Sequence, residues 1–426
     1  MQRSRAASST AMLPSERRTS LVLAGIFVLR MLGLFLVLPV FTLAAADYQG
    51  GDDPRLIGLA MGIYGLTQAL LQWPLGMASD RWGRKRVIAM GLLVFVLGSV
   101  WAALSHSVWG LVAGRALQGA GAISAAMTAL LADATREVVR TKAMALIGIS
   151  IGASFSLALI LGPLLGSKLG LSGLFWLMAL LAGVALLVVL GLLPQPKGQQ
   201  DEPMQHAHLP ANATEPAAQT GGWALWRLNL GVFVLHLLQM AMWSGVPLLL
   251  QDAGLASAAH WQLYLPAVLL SVLCFGAVFS LERRGRLQLA MRLAMGLILA
   301  AQLALAIFSH SNQQPLAGQA ALWFLGAVLF VFFCGFNALE AMQPSLVSRL
   351  APVARRGSAM GMYSTLQSLG LFAGGVLGGA LVAHWAEAGL FAATALIAAA
   401  WCALTLWCER ATQQTDAPLS NKSPQP

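Results

Sequence analysis

The chain has 426 residues, of which 58% are hydrophobic and only 10% charged, and its mean hydropathy is +0.72. Soluble globular domains average about 45–50% apolar and about 25% charged residues, so the composition excludes an ordinary soluble domain and predicts an integral membrane protein with many crossings. The net charge of +10 is taken up by loops on one membrane face, and so gives no argument for nucleic-acid binding.

In chain order, apolar runs broken by charges or by Pro and Gly predict about twelve spans. They start near residues 19, 56, 87, 108, 142, 172, 225, 260, 287, 318, 357 and 387. An even number puts both termini on one side, and loop basicity makes that side cytoplasmic. Arg3, Arg5, Arg17 and Arg18 precede span one; Arg81, Arg84, Lys85 and Arg86 follow span two; Arg136, Arg140 and Lys142 follow span four. Later alternate loops carry Lys197, then Arg283, Arg284 and Arg286, then Arg349, Arg355 and Arg356. The other face offers only Arg55 and Lys168, beside Asp47, Asp52 and Asp53. Arg17-Arg18 ahead of an apolar run ending in Ala44-Ala45-Ala46 has the outline of a secretory signal, but the run is too long and contains Arg30, so an uncleaved first span is expected.

These boundaries predict a cytoplasmic segment 1–18, a six-helix half 19–193, a cytoplasmic linker 194–223, a second six-helix half 224–408 and a cytoplasmic tail 409–426. The linker holds Pro194, Pro196, Pro203, Pro210 and Pro216, a composition that cannot bury a core. Its His206 and His208 do not amount to a metal site, and the sequon Asn212-Ala213-Thr214 lies on the cytoplasmic side. Cys274, Cys334, Cys402 and Cys408 all fall in apolar stretches without disulfide or zinc spacing, and read as packing residues. No metal or cofactor is implied.

The halves carry a faint repeat. Arg140-Thr141-Lys142-Ala143-Met144 aligns with Arg356-Gly357-Ser358-Ala359-Met360, and the same offset superposes Gly119 on Gly335 and Gly162 on Gly378. Duplications of this kind place a substrate site near the midplane between halves.

Ionisable groups inside spans carry the chemistry, because charge at membrane depth is costly and faces a cavity or a partner. Arg30 lies about eleven residues into span one, roughly 16 Å by helical rise; Arg115 lies about 10 Å in from the outer face. Glu340 is a lone acid in span ten on the same face as Asn337. It is the candidate for reversible protonation; a structural salt bridge to Arg30 or Arg115 is the alternative. His236, Gln239, Met240 and Trp243 form one helical stripe in span seven, as do Tyr64 with Gln68 and Tyr363 with Gln367. These stripes read as cavity lining, or as hydrogen-bonded helix packing. His236 can exchange a proton near neutral pH or stay neutral and hydrogen-bonded.

Three segments carry a family resemblance. Gly76 to Arg86, with Asp80, Arg81, Gly83 and Arg84, resembles motif A of the major facilitator superfamily and sits in the loop that family requires. Leu111 to Gly121, containing Arg115, Gln118 and Gly119, resembles its motif B. Gly162-Pro163-Leu164-Leu165-Gly166 resembles the antiporter motif C, with Ser167 where a second Gly is common. Whole-chain likeness is strongest to the YajR-type drug:proton antiporters, through Leu29 to Gly33, His236, Phe336 to Ala341, Pro344-Ser345-Leu346, and Gly361 to Thr365 with Gln367. The resemblance implies an all-α fold of twelve transmembrane helices in two six-helix halves. It implies a gate latch in which Asp80 faces the start of span eleven near Gly357 to Ala359 and Arg84 pairs with Asp133; the alternative is that these charges only enforce topology. Gly162 and Pro163 are expected to bend span five. YajR-type proteins can carry a small soluble domain after span twelve, for which a polar tail stands here. Many drug:proton antiporters place an acid in span one, where this chain has Arg30.

No Gly-x-Ser-x-Gly elbow, His-Glu-x-x-His pair or Walker loop is present, which argues against an enzyme and against direct coupling to ATP. The expected function is a monomeric secondary active transporter of the bacterial inner membrane. It works by alternating access and couples efflux of small amphipathic compounds to protons. The alternatives are a symporter or facilitator of a sugar or metabolite, and a membrane receptor or scaffold.

Overall fold

The computed structural model describes residues 11–193, 220–310, 318–352 and 355–415. The expected linker up to residue 219, with Lys197, His206, His208 and Asn212, lies outside the described residues, as do Arg3, Arg5 and the tail from residue 416. The described chain folds into α1 (Pro14–Leu36), α2 (Phe41–Ala45), α3 (Pro54–Trp82), α4 (Arg84–Leu104), α5 (Val108–Ala120), α6 (Ser124–Ala134) and α7 (Glu137–Leu192). These are followed by α8 (Thr220–Asp252), α9 (Trp261–Ser271), α10 (Cys274–Arg283), α11 (Leu287–His310), α12 (Gln319–Leu350) and α13 (Arg356–Thr415). Nine helical stretches among the described residues are long and apolar enough to cross a membrane.

Local chemistry sets the helix limits. Pro54 opens α3 behind Asp53, whose side chain accepts from Arg55 N at 2.9 Å. Ser107 caps α5 through Gly110 N. Gly83 alone separates α3 from α4, at φ 90 and ψ 139, a backbone region effectively reserved for glycine. The two longest helices contain breaks: α7 at Gly170 (φ 66) and α13 at Trp385 and Ala386 (φ 53). Both breaks adjoin the span starts expected near residues 172 and 387.

Two expected single helices are interrupted. Span four unwinds between α5 and α6 at Gly121, which packs against the Gly91 carbonyl and Phe95 N of α4, where a Cβ would collide. Span eight tightens between α9 and α10, where Val272 N bonds Leu269 O at 3.2 Å and Leu273 N bonds Leu270 O at 3.0 Å. Short three-residue hydrogen bonds of this kind mark hinges inside helices.

One end of the bundle carries the basic loops. There Arg84 pairs with Asp133, Arg292 and Arg227 with Glu409, and Arg349 with Glu282. Arg136, between α6 and α7, donates from N, Nε and Nη2 to the Glu16 carboxylate at 2.8–3.0 Å, and that carboxylate raises the guanidinium pKa above its ordinary value. Each pair joins elements within residues 11–193 or within 220–415.

Contacts between these two parts gather toward the opposite end. Arg55 meets His384 at 3.0 Å, and Thr42 donates to the Trp243 carbonyl at 3.0 Å. Gly58, Gly62 and Gly65 of α3 abut Gly375, Gly379, Phe372 and Ser368 of α13; a Cβ on Gly62 would stand 2.6 Å from the Phe372 carbonyl. In lipid the hydrophobic effect gives helices no drive to associate, so close backbone approach through small residues does the work.

The apolar core follows the same division. One cluster runs through both parts, from Leu32, Val40 and Tyr64 to Trp243, Phe332 and Phe391. Toward the basic end it gives way to two separate clusters, one built around Ile26, Ile88 and Leu131, the other around Leu228, Val347 and Tyr363. A Cβ at Gly148, Gly152, Gly357 or Gly361 would meet nothing within 4 Å. The bundle is therefore closed at the opposite end and parted at the basic end. Its outer surface is apolar, with Leu187, Ile307 and Leu396 each about 70% exposed, as a lipid-facing wall requires.

Candidate functional site

At the basic end, the α3–α4 turn holds Asp80, Arg81 and Gly83 in exposed positions and Gly76 half-buried. Arg84 pairs with Asp80 one helical turn away and reaches Asp133 at 3.2 Å. It also donates to Ser79 Oγ at 2.7 Å. The expected Arg84–Asp133 pair is present. Asp80, by contrast, is 62% exposed and engages Arg84 rather than the start of α13, where Gly357 has open space. The parted basic end accounts for this, since the two helices no longer meet there. Lys85, counted from sequence only among the basic loop residues, donates from Nζ to the Leu190 and Leu193 carbonyls at 2.9 and 2.7 Å and closes the end of α7.

Deeper in the first part, two guanidiniums share one tyrosine. Arg30 is fully buried; it donates from Nη1 to Ser124 Oγ and from Nη2 to Tyr64 OH, both at 3.1 Å, and lies over the Phe95 ring. Arg115, also buried, donates to the Ala60 and Met61 carbonyls and to Gln118 Oε1, and sits 5.2 Å from the Tyr64 ring centre. Gln118 in turn donates to Ser99 Oγ at 2.9 Å. Among the described residues no carboxylate pairs with either arginine.

Across the divide, Glu340 of α12 faces His236 of α8, Oε1 to Nε2, at 3.3 Å. The salt bridge to Arg30 or Arg115 considered from sequence is absent; the lone acid has a histidine partner from its own part of the chain. His236 Nδ1 lies 2.9 Å from the Val232 carbonyl, which can only accept, so Nδ1 carries a proton. Gln367 Nε2 stands 2.8 Å from His236 Nε2. Nε2 of the neutral ring thus accepts from Gln367, leaving Glu340 Oε1 with no hydrogen-bond donor. Protonating Nε2 turns it into a donor to Glu340. Glu340 keeps a third of its side chain exposed, so this pair borders solvent-accessible space.

The polar stripes separate by depth. Tyr64 is buried between the arginines while Gln68 is half-buried; Tyr363 donates to Gln343 Oε1 at 3.4 Å while Gln367 reaches His236. Gln239, Met240 and Trp243 are all buried. Trp243 packs edge-on against Tyr264 toward the closed end, with its ring fully buried. Asn337 donates to Ser271 Oγ at 2.7 Å and anchors α12 beside the span-eight hinge. Cys274 and Cys334, which read as packing residues, stand Sγ to Sγ at 2.8 Å across the same hinge. Gly162 abuts the Leu36 carbonyl, and α7 passes through Pro163 without a non-helical residue before Gly170. Ser79, Ser99, Ser124, Ser271 and Gln343 complete these networks; Ser79 lies within the motif A segment, and the sequence signal for the other four is a hydroxyl or amide inside an apolar run.

Residues 23–375 match the family model described as Major Facilitator Superfamily. The chain is 42% identical over 397 residues to the inner membrane transport protein YajR of Escherichia coli K12, covering 92% of this chain and 83% of that protein. It is 32% identical over 181 residues to the class B tetracycline resistance protein of Escherichia coli, covering 41% and 44% of the two chains. Its fold superposes on a crystal structure of a POT family transporter in complex with a thioalcohol-conjugated peptide, with TM-score 0.74, 12% identity and coverage of 92% and 96%. Motif, fold and whole-length likeness agree: the chain belongs to the Major Facilitator Superfamily of membrane transporters, which are not enzymes.

Proposed function

We propose that this protein is a proton-coupled secondary transporter of the bacterial inner membrane that exports small amphipathic compounds by alternating access. Counting the pieces of α7 and α13 on either side of their breaks, and α5 with α6, as separate crossings gives about twelve spans. That count favours halves at 19–193 and 224–408, joined by the linker 194–223. The basic end is then cytoplasmic, with both termini there. The protein works as a monomer.

The observation that carries the coupling is the His236–Glu340–Gln367 cluster. A single proton entering between Nε2 and Oε1 converts two facing lone pairs into an N–H···O contact and displaces the Gln367 amide from Nε2. Three side chains on α8, α12 and α13 therefore change partners together, which is how a protonation event biases a two-state bundle. Opening of the opposite end needs the Gly58–Gly375 seam and the Arg55–His384 contact to separate. Closing of the basic end brings Asp80 toward the start of α13, whose dipole attracts it.

Proteoliposomes with an imposed pH gradient, screened with amphipathic compounds, test the reading. Countertransport of protons with an accumulated compound is expected. Accumulation that leaves proton flux unchanged rejects the coupling.

A further inference from the structure

The arginine cluster of the first part has a surplus that proton coupling does not use. Arg30 and Arg115 are buried without a carboxylate, and an unpaired charge at membrane depth is costly. Aromatic faces and neutral hydroxyls offset part of that cost. One donor is still idle: Arg30 Nε is buried with no hydrogen-bond partner.

The break in span four supplies a second, independent attraction for negative charge. α6 begins at Ser124, directly beside the Arg30 head. The residue before it, Ile123, offers no side-chain cap to the first-turn N–H groups. A free helix start has its positive dipole end and several N–H donors aimed outward, and discontinuous membrane helices use such ends to hold anionic groups. Ser124 is half-buried and Thr128, one turn on, is exposed, so the first turn of α6 is not sealed inside the core.

We infer that Arg30 and the first turn of α6 receive the anionic group of the transported compound, a small organic carboxylate or sulfonate with an apolar body. Arg30 Nε and the α6 N–H groups donate to the anion. Arg115 acts as a positioning residue: it holds Tyr64 in place from behind and adds a second positive charge. The apolar body lies along Phe35 and Phe155, which stack edge-on at 5.2 Å and lead to Phe333 of the other part. The inference rests on the transporter reading only in calling the ligand transported; binding is independent of any gradient.

The test uses purified full-length protein in detergent and three naphthalene probes of similar size and different charge: 1-naphthoate, 1-naphthalenemethanol and 1-naphthylmethylammonium. Naphthoate should raise the unfolding midpoint saturably, and the neutral and cationic probes should not. Arg30→Gln should weaken naphthoate at least about tenfold, as expected for loss of a charge-assisted bond. Ser124→Asp sets a permanent carboxylate beside Arg30 Nη1; the unliganded variant should melt higher than the parent and lose its response to naphthoate. This second variant decides the matter if Arg30→Gln does not fold. An equal shift by all three probes, or a full naphthoate response in Ser124→Asp, overturns the site. Because no proton gradient enters, a failure here leaves the coupling experiment standing, and the reverse also holds.

Discussion

His236 Nε2 and Glu340 Oε1 stand 3.3 Å apart on neighbouring helices, with Gln367 competing for the same nitrogen. Glu340→Gln removes the proton-accepting oxygen while keeping shape. Gradient-driven uptake should vanish while compound exchange at equal pH survives. Full pH dependence in this variant, measured in proteoliposomes, clears Glu340 of the role.

The Arg84–Asp133 pair is partly exposed, and such pairs contribute only about 0–1 kcal/mol. Asp80→Asn and Asp133→Asn should therefore leave the unfolding midpoint nearly unchanged. If these groups latch the basic end, both variants should slow turnover and increase labelling of a cysteine placed at Gly357 in a cysteine-free background. Unchanged labelling would show that the charges serve topology alone.

Gly62 has no room for a side chain against the Phe372 carbonyl. Gly62→Val should cost the closed opposite end about 1–3 kcal/mol, enough to shift its population roughly fivefold or more. Cross-linking between cysteines at positions 55 and 384, where Arg55 now meets His384, should fall accordingly. Undiminished cross-linking counts against the glycine seam as the closing surface.

Cys274 and Cys334 face each other at 2.8 Å across the span-eight hinge. Treatment of membranes with copper phenanthroline should join them within one chain and remove two titratable thiols, and Cys334→Ser should abolish the product. Failure to cross-link would mean that the α9–α10 hinge packs differently on α12.

Much of this was legible one residue at a time. The cationic turn from Asp80 to Arg86, the alternating basic loops and the span starts near residues 172 and 387 come from local chemistry: lipid demands long apolar helices separated by polar or helix-breaking residues. The pair Arg84–Asp133 was also foreseeable, through resemblance. The partner of Glu340 was not. Arg30, Arg115 and His236 all lie at comparable depth, and only the packing of α8 against α12 selects the histidine. Nor does a period in the sequence mark the breaks in spans four and eight: at the first Gly121 lies against the backbone of α4, and at the second the hydrogen bonds tighten to three-residue spacing.

By itself, then, the sequence determined that the chain lives in a bilayer, which loops gather at one face and which rare charges lie at depth, since these follow from transfer free energy and chain length. Only the tertiary structure decided which buried charges meet and which remain without an opposite charge, and which end of the bundle stands parted. Those outcomes depend on helix register and on a few close glycine contacts between segments hundreds of residues apart, and no local preference encodes them.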